Sequence, residues 1–253
     1  MRSHSYVTIL QDGAPLPKSE PATSAFFDRF QHRTQQQRLG AGATLFAEDD
    51  VVDRILVLAA GWAIKSKSLI DGRRQILDFV LPGDVLGSLC GAPTSYAAEM
   101  LTSGDVIGVP VGAFVEMSES SPPLALEIAR RFEAAELRAY ERIAAIGCRS
   151  AHLRVCRLLL ELATRQVKPG PTIQPLRLAC PLRQSHIADA LGLRIETVCR
   201  VLGRLSRTGI AHLRAGELVI GDLEALRREG ERESPPPAGQ VVALRATAGL
   251  HAA

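Results

Sequence analysis

The chain has 253 residues, 46% apolar and 23% charged, with a formal charge of +3. That length holds one large domain or two ordinary ones, and the composition is globular rather than low-complexity. The longest apolar run, "RILVLAAGWAI" at 54–64, is too short to span a bilayer, so no membrane partner is expected.

Residues 1–24 contain only Val7–Leu10 as an apolar core, too short for a secretory signal, and read as a mobile arm of a cytoplasmic protein. Phe26, Phe27 and Phe30 follow on a predicted short helix that would cap the next domain. From there to residue 117 the chain breaks into short β-type runs punctuated by glycine, including "RILVLAAG", "WAIKSKSLI", "RQILDFVLPG" and "DVIGVP". Within "LIDGRRQIL", Asp71-Gly72 predicts a tight hairpin with positive φ. About eight such strands predict a β-roll or barrel over residues 25–117.

At 118–147 the period changes. Ser121 is an expected N-cap and Pro122 or Pro123 a first-turn residue. Ile128, Phe132, Ala135, Ala139, Ile143 and Ile146 alternate by fours and threes, while Leu126, Leu137, Tyr140 and Ala144 form a second apolar face. A helix with two apolar faces needs two partners. The roll can cover one, and the same helix of a second copy the other, so Leu126 and the first stripe are the expected dimerisation residues.

Residues 148–229 predict a third kind of unit. A helix over 150–166 and a loop over 167–175 lead to two helices, "LRQSHIADALG" and "LRIETVCRVLGRLSRTG", joined by a turn at Gly192. Ile187, Ala188 and Leu191 are spaced to pack on Val198 and Leu202, as in a helix-turn-helix. "IAHLRAGELVIG" reads as two strands around Ala215-Gly216, a small wing, and the tail from Gly230 as disordered. The fold class is therefore α+β: roll, long helix, winged helix-turn-helix.

Charge is divided unevenly between these units. Residues 149–221 hold 12 Lys/Arg against 4 Asp/Glu, whereas residues 1–148 hold 14 against 18. A basic module on an acidic body fits a polyanion, here double-stranded DNA. The second helix leaves Glu196, Thr197, Cys199, Arg200 and Arg204 off its buried stripe, with Ile195 at its start; Ile195, Glu196, Cys199 and Arg200 are the expected base-reading residues. Arg can donate twice to guanine, Glu accept from cytosine N4, and an apolar group touch a thymine methyl. Glu196 and Arg200, one turn apart, can hold each other in position. Arg183, Gln184, Ser185, Thr197, Arg204 and Arg214 are placed for phosphates.

"IETVCR" after a glycine-rich roll containing "LPGDVLG" and a long helix resembles the Crp/Fnr superfamily of bacterial transcription regulators, over about residues 25–229. The resemblance implies a homodimer on an inverted-repeat promoter site, acting with RNA polymerase, with Glu196 and Arg200 reading bases. By position, the hairpin tip at 71–74 is a candidate polymerase contact. Ile195 points to the Fnr and FixK branch and a TTGA-like half-site, with roles in low-oxygen respiration, denitrification or nitrogen fixation. Cys199 stands where that branch has Ser.

Cyclic-nucleotide members use a Glu and an Arg-Ser pair in the segment matching 83–100, where this chain has Ser88 and Ser95-Tyr96. A phosphate without a cation is costly to bury, so cyclic AMP is not expected. The chain has no cysteine before Cys90 to hold the iron–sulfur cluster of Fnr. His4, His32, His152, His186 and His212 show no ligand-like spacing, so neither cofactor nor metal is expected, although a haem or nitric-oxide sensor of this fold stays open.

The scattered cysteines Cys90, Cys148, Cys156, Cys180 and Cys199 contain no CxxC pair. Most read as small buried apolar groups. Cys199, on the DNA face beside Arg200, is either a contact residue in place of Ser or a redox-sensitive thiol. A cyclic-nucleotide-binding regulatory subunit is the competing class, disfavoured by the basic winged module. An enzyme is not expected, since no nucleophile triad, phosphate loop or metal-ligand spacing is present.

Overall fold

The protein was analysed as a computed structural model that describes residues 35–89, 91–167 and 174–231. The expected arm, the Phe26/Phe27/Phe30 helix, Cys90 and the chain beyond 231 lie outside the described residues.

Eight strands build the roll: β1 (Gln35–Leu39), β2 (Thr44–Phe46), β3 (Arg54–Ala60), β4 (Ala63–Ser68), β5 (Arg74–Val80), β6 (Val85–Leu86), β7 (Ala97–Met100) and β8 (Gly104–Pro110). They pair antiparallel into two four-stranded sheets, ordered β1-β8-β3-β6 and β2-β7-β4-β5. Between the sheets lie Leu56, Leu58, Leu86 and Val106 from one side and Phe46, Ala63, Val80, Ala98 and Met100 from the other. The outer faces are also covered, which explains why β3 reads as a continuous apolar run rather than an alternating one.

The β4–β5 hairpin forms where the sequence predicted, with a different turn. Gly72 N–H donates to Leu69 O at 2.9 Å and Leu69 N–H to Arg73 O at 2.8 Å, closing a three-residue loop. Gly72 has φ 79°, and Asp71 stays at negative φ. Asp71 instead uses its carboxylate to accept from Arg73 N–H at 3.0 Å, so Gly72 alone supplies the left-handed residue of a bulged turn.

Two helices cover the β3/β8 face. The first, α1 (Val111–Ser120), occupies residues that the sequence reading had assigned to the end of the roll and the start of the long helix. Ser121 breaks the helix at φ −143°, and Pro122 and Pro123 start α2 (Pro122–Cys148) at its first two positions. Phe114, Leu124 and Ile128 pack on Ile55, Val57, Ile107 and Val109, with Phe132 partly buried beside them.

The remaining chain is the winged unit. Its first helix, α3 (Ala151–Gln166), is capped by Ser150 Oγ, which accepts from Leu153 N–H at 3.3 Å. The pair α4 (Gln184–Leu191) and α5 (Ile195–Arg207) is joined at Gly192, whose φ of 60° ends α4 in the left-handed conformation that glycine tolerates. The wing strands β10 (Ala211–Arg214) and β11 (Glu217–Ile220) turn at Ala215-Gly216, and a third strand, β9 (Leu176–Ala179), joins them in the order β10-β11-β9. A last helix, α6 (Leu223–Glu231), buries Leu226 and includes Gly230, so the expected disordered tail does not begin there.

The outer face of the β4/β5 sheet closes on this unit. Trp62, Ile64, Ile76 and Phe79 share one core with Val155, Leu159, Leu162, Ile187 and Ala190 of the winged domain. Gln75 Nε2 donates to Ala190 O at 3.3 Å across that seam. The helix pair α4 and α5 is thus mounted on the roll by apolar burial.

Candidate nucleic-acid interface

The site is built on α5. Val198, Val201, Leu202 and Leu205 are buried, and Ile187, Ala188 and Leu191 of α4 meet them in the same core. The opposite side of α5 carries Glu196, Cys199, Arg200 and Arg204, all exposed, with Thr197 half-buried and Ile195 exposed at the helix start. Ile195 is an apolar residue left 48% exposed at the first position of the helix.

Within this face the expected pairing of Glu196 with Arg200 is not found. Arg200 Nη2 donates to Thr197 Oγ1 at 3.3 Å, and among the described residues no ion pair joins Arg200 to Glu196. The shorter reach to Thr197 lies on the same flank of the helix, so the Glu196 carboxylate remains available as an acceptor. Cys199 Sγ donates to Gln184 Oε1, tying the middle of α5 to the first residue of α4. The thiol therefore meets a neutral carbonyl, rather than the Arg200 cation expected from adjacency in sequence.

The proposed phosphate contacts surround that face. Arg183, Gln184 and Ser185 sit at the start of α4, Arg204 on α5 and Arg214 at the wing. Arg183, Arg194, Arg200, Arg204, Arg207 and Arg214 are exposed and form no ion pair among the described residues, whereas Arg74, Arg138, Arg142 and Arg165 are paired. Uncompensated cations around one helix raise the local potential for a polyanion. Arg183 N–H donates to His186 Nδ1 at 3.2 Å. Burial first, then the charges of Arg74 and Arg183, push His186 below its ordinary value, so it adds no positive charge at neutral pH.

The expected dimerisation stripe divides between two surroundings. Ile128 is buried and Phe132 partly buried against the roll, so these two belong to the face already covered within one copy. Ala135, Ala139 and Ile146 are half-buried, and Leu126 and Ile143 are exposed together with Leu137 and Tyr140. The difference arises because the apolar packing of α2 on the β3/β8 sheet ends near Phe132, beyond which Arg138 and Arg142 reach the roll through polar contacts with Asp78 and Leu77 O.

Of the histidines, His152 Nε2 lies 2.6 Å from Glu229 Oε2, and His212 Nδ1 2.9 Å from Ser206 Oγ. Among the described residues no group of three or more His, Cys, Asp or Glu is arranged for a metal ion, and no helix is long and apolar enough to cross a membrane. Cys156 and Cys180 are buried; Cys148 and Cys199 are exposed.

In the roll segment 83–100 the Tyr96 hydroxyl accepts from Gly87 N–H at 3.2 Å. Its ring meets Phe46 edge-on at 5.4 Å and carries the Lys65 ammonium at 5.1 Å on its face. Arg74, on the same sheet, is engaged with Glu99 at 2.7 Å. A cyclic phosphate shares one negative charge between two exocyclic oxygens and calls for a guanidinium and a hydroxyl, and Arg74 and Tyr96 are each engaged within the roll.

Comparison with known proteins agrees with this division of the chain. A cyclic nucleotide-binding domain model matches residues 36–121, and a Crp-like helix-turn-helix domain model matches residues 153–229. The chain is 35% identical over 181 residues to the transcriptional activatory protein AadR of Rhodopseudomonas palustris, covering 71% of this chain and 74% of AadR. It is 33% identical over 186 residues to the nitrogen fixation regulation protein FixK of Azorhizobium caulinodans, covering 73% and 74%. The structure of FixK2 from Bradyrhizobium japonicum superimposes with a TM-score of 0.70 at 26% identity, covering 79% of this chain and 99% of FixK2. The chain belongs to the Crp/Fnr superfamily of DNA-binding transcription regulators, within its FixK-like branch.

Proposed function

We propose that this regulator works as a homodimer, binds an inverted repeat of TTGA-type half-sites and activates genes of low-oxygen respiration, denitrification or nitrogen fixation. The observation that carries the reading is the exposed N-terminal half of α5, with Ile195, Glu196 and Arg200 facing outward inside a border of uncompensated arginines. Arg200 supplies a bidentate donor for guanine, Glu196 an acceptor for cytosine N4, and Ile195 an apolar contact for a thymine methyl. Arg183, Gln184, Ser185, Thr197, Arg204 and Arg214 hold the phosphates and set register. Cys199 acts as a small contact residue that anchors Gln184.

Leu126, Leu137, Tyr140 and Ile143 give α2 an apolar face that a second α2 covers, placing two copies of α5 on successive turns of one duplex face. RNA polymerase is the second partner. The β4–β5 hairpin tip, with Ile70 fully exposed, is a protruding contact for it. The names of the relatives, a transcriptional activatory protein and a nitrogen fixation regulation protein, support the direction and the setting of control.

A random-duplex binding selection with the full chain returns the half-site and its spacing. Arg200→Ala is expected to cost about 1–3 kcal/mol on the selected site and to relax preference at one base pair. Equal losses on the selected and on a scrambled duplex overturn the base-reading role.

A further inference from the structure

Three carboxylates and three guanidiniums meet where the roll, α2 and α3 converge. Traced from atom to atom they close a ring of alternating charge. Asp78 meets Arg138 at 2.8 Å, Arg138 meets Asp84 at 3.5 Å, and Asp84 meets Arg165. Arg165 meets Glu161 at 3.4 Å, Glu161 meets Arg142 at 3.1 Å, and Arg142 returns to Asp78 at 3.8 Å. Asp78 and Asp84 belong to the roll, Arg138 and Arg142 to α2, Glu161 and Arg165 to α3. Only the link between Glu161 and Arg165 stays within one element. The side chains are between 5% and 24% exposed, so the charges interact in a medium well below the dielectric of water.

The same arginines also grip the roll's backbone. Arg142 Nη1 donates to Leu77 O at 3.3 Å, and Arg165 Nη1 to Phe79 O at 2.9 Å. Asp84 Oδ2 accepts from Leu81 N–H at 2.8 Å, fixing its own turn. The apolar seam around Trp62, Ile64, Ile76 and Phe79 holds the winged domain against the roll but is indifferent to small rotations, because burial is non-directional. Guanidinium–carboxylate contacts are directional, and their geometry fails within a few tens of degrees. Buried ion networks add little net stability over apolar replacements, so orientation is the property this one can secure.

We infer that the ring of Asp78, Arg138, Asp84, Arg165, Glu161 and Arg142 fixes the angle between the dimer helix α2 and the winged domain, and thereby the half-site spacing the dimer accepts. The inference rests on the dimeric DNA-binding reading above. These are positioning residues, removed from the α5 face that reads bases. The ring needs no bound ligand, since each of its charges is answered by another part of the chain.

The test uses the full chain and palindromic duplexes whose spacer changes one base pair at a time. The wild type is expected to prefer one spacer by about tenfold over its neighbours, as two helices held at a fixed separation require. Asp78→Asn and Glu161→Gln, which keep size and remove charge, are expected to flatten that preference to about twofold while melting cooperatively. Glu161, at the more exposed edge, serves if Asp78→Asn fails to fold. Undiminished spacer preference in a folded variant overturns the inference, as does a loss equal at all spacers.

A second measurement is independent of DNA. With native cysteines replaced by serine, spin labels at Ser68→Cys on the roll and Ser206→Cys on α5 report the distance between the two units. Removal of the Asp78 charge should broaden that distance distribution, and an unchanged distribution refutes the ring's role. A wild type that binds no palindrome refutes the proposed function, while the label distances still decide the ring.

Discussion

Ile143 and Ile128 lie on one sequence stripe and face different surroundings, so the same substitution at each should have opposite consequences. Ile143 is 67% exposed in one copy and Ile128 2%. Fully burying an isoleucine is worth about 1.5–3 kcal/mol. Two thirds of that, less the methyl that alanine retains, is about 0.5–1.5 kcal/mol per copy. A two-fold interface counts it twice, so Ile143→Ala should weaken the dimer by about 1–3 kcal/mol, roughly 5- to 150-fold in dissociation constant. Ile128→Ala opens a cavity beside Phe114 and Leu124 and should cost about 2–5 kcal/mol of unfolding free energy. Its dimer constant should stay near that of the wild type. Sedimentation equilibrium over a dilution series reads the first effect. Denaturant unfolding at one fixed protein concentration reads the second, since dimerisation itself contributes to apparent stability. If Ile143→Ala dimerises normally and Ile128→Ala does not, the assignment of α2's two faces is reversed.

Burial works against the charged form of Asp78, but Arg138, Arg165 and Arg142 outweigh it and hold the carboxyl at about 2. A depressed carboxyl stabilises the fold above its unfolded value and loses that contribution as pH falls through the folded one. The wild type should therefore lose about 2 kcal/mol between roughly pH 4 and pH 2 that Asp78→Asn does not lose, measured by unfolding at each pH. Burial pushes the thiols of Cys156 and Cys180 up to about 12 and about 11, so an alkylating reagent at neutral pH should modify Cys148 and Cys199 in the native protein and those two only after unfolding, as peptide mapping would show. Serine keeps a donor for Gln184, so Cys199→Ser should hold specific affinity within about threefold, and alanine should not. Under the oxidation reading peroxide weakens the wild type and spares Cys199→Ser; equal loss in both removes it.

Much of the candidate site was legible from spacing. A helix that buries Val198, Leu202 and Leu205 must present residues 196, 199 and 200 away from that stripe, because of its 3.6 residues per turn, whereas Ile195 shares the stripe and is exposed because it begins the helix. The roll was legible from glycine-punctuated apolar runs, and the long helix from its two stripes and the prolines at its start. Short elements escaped. α1 carries no strong periodic signal, and β9 is four residues after a proline-bearing loop, held only by its partner β11. Side-chain partners escaped too: Arg200 turned to Thr197, and Cys199 to Gln184, choices made by rotamers and neighbours rather than by sequence separation.

Local periodicity, turn residues and the concentration of arginine after residue 149 determined by themselves that this chain is a roll, a long helix and a basic winged helix-turn-helix. Those signals are short-range, and each is complete within one element. How far along α2 the apolar contact with the roll extends, and that Asp78, Asp84, Arg138, Arg142, Glu161 and Arg165 close into one ring, were decided only by tertiary structure. Those residues span more than eighty positions of chain, and no periodicity relates charges brought together by the packing of three separate elements.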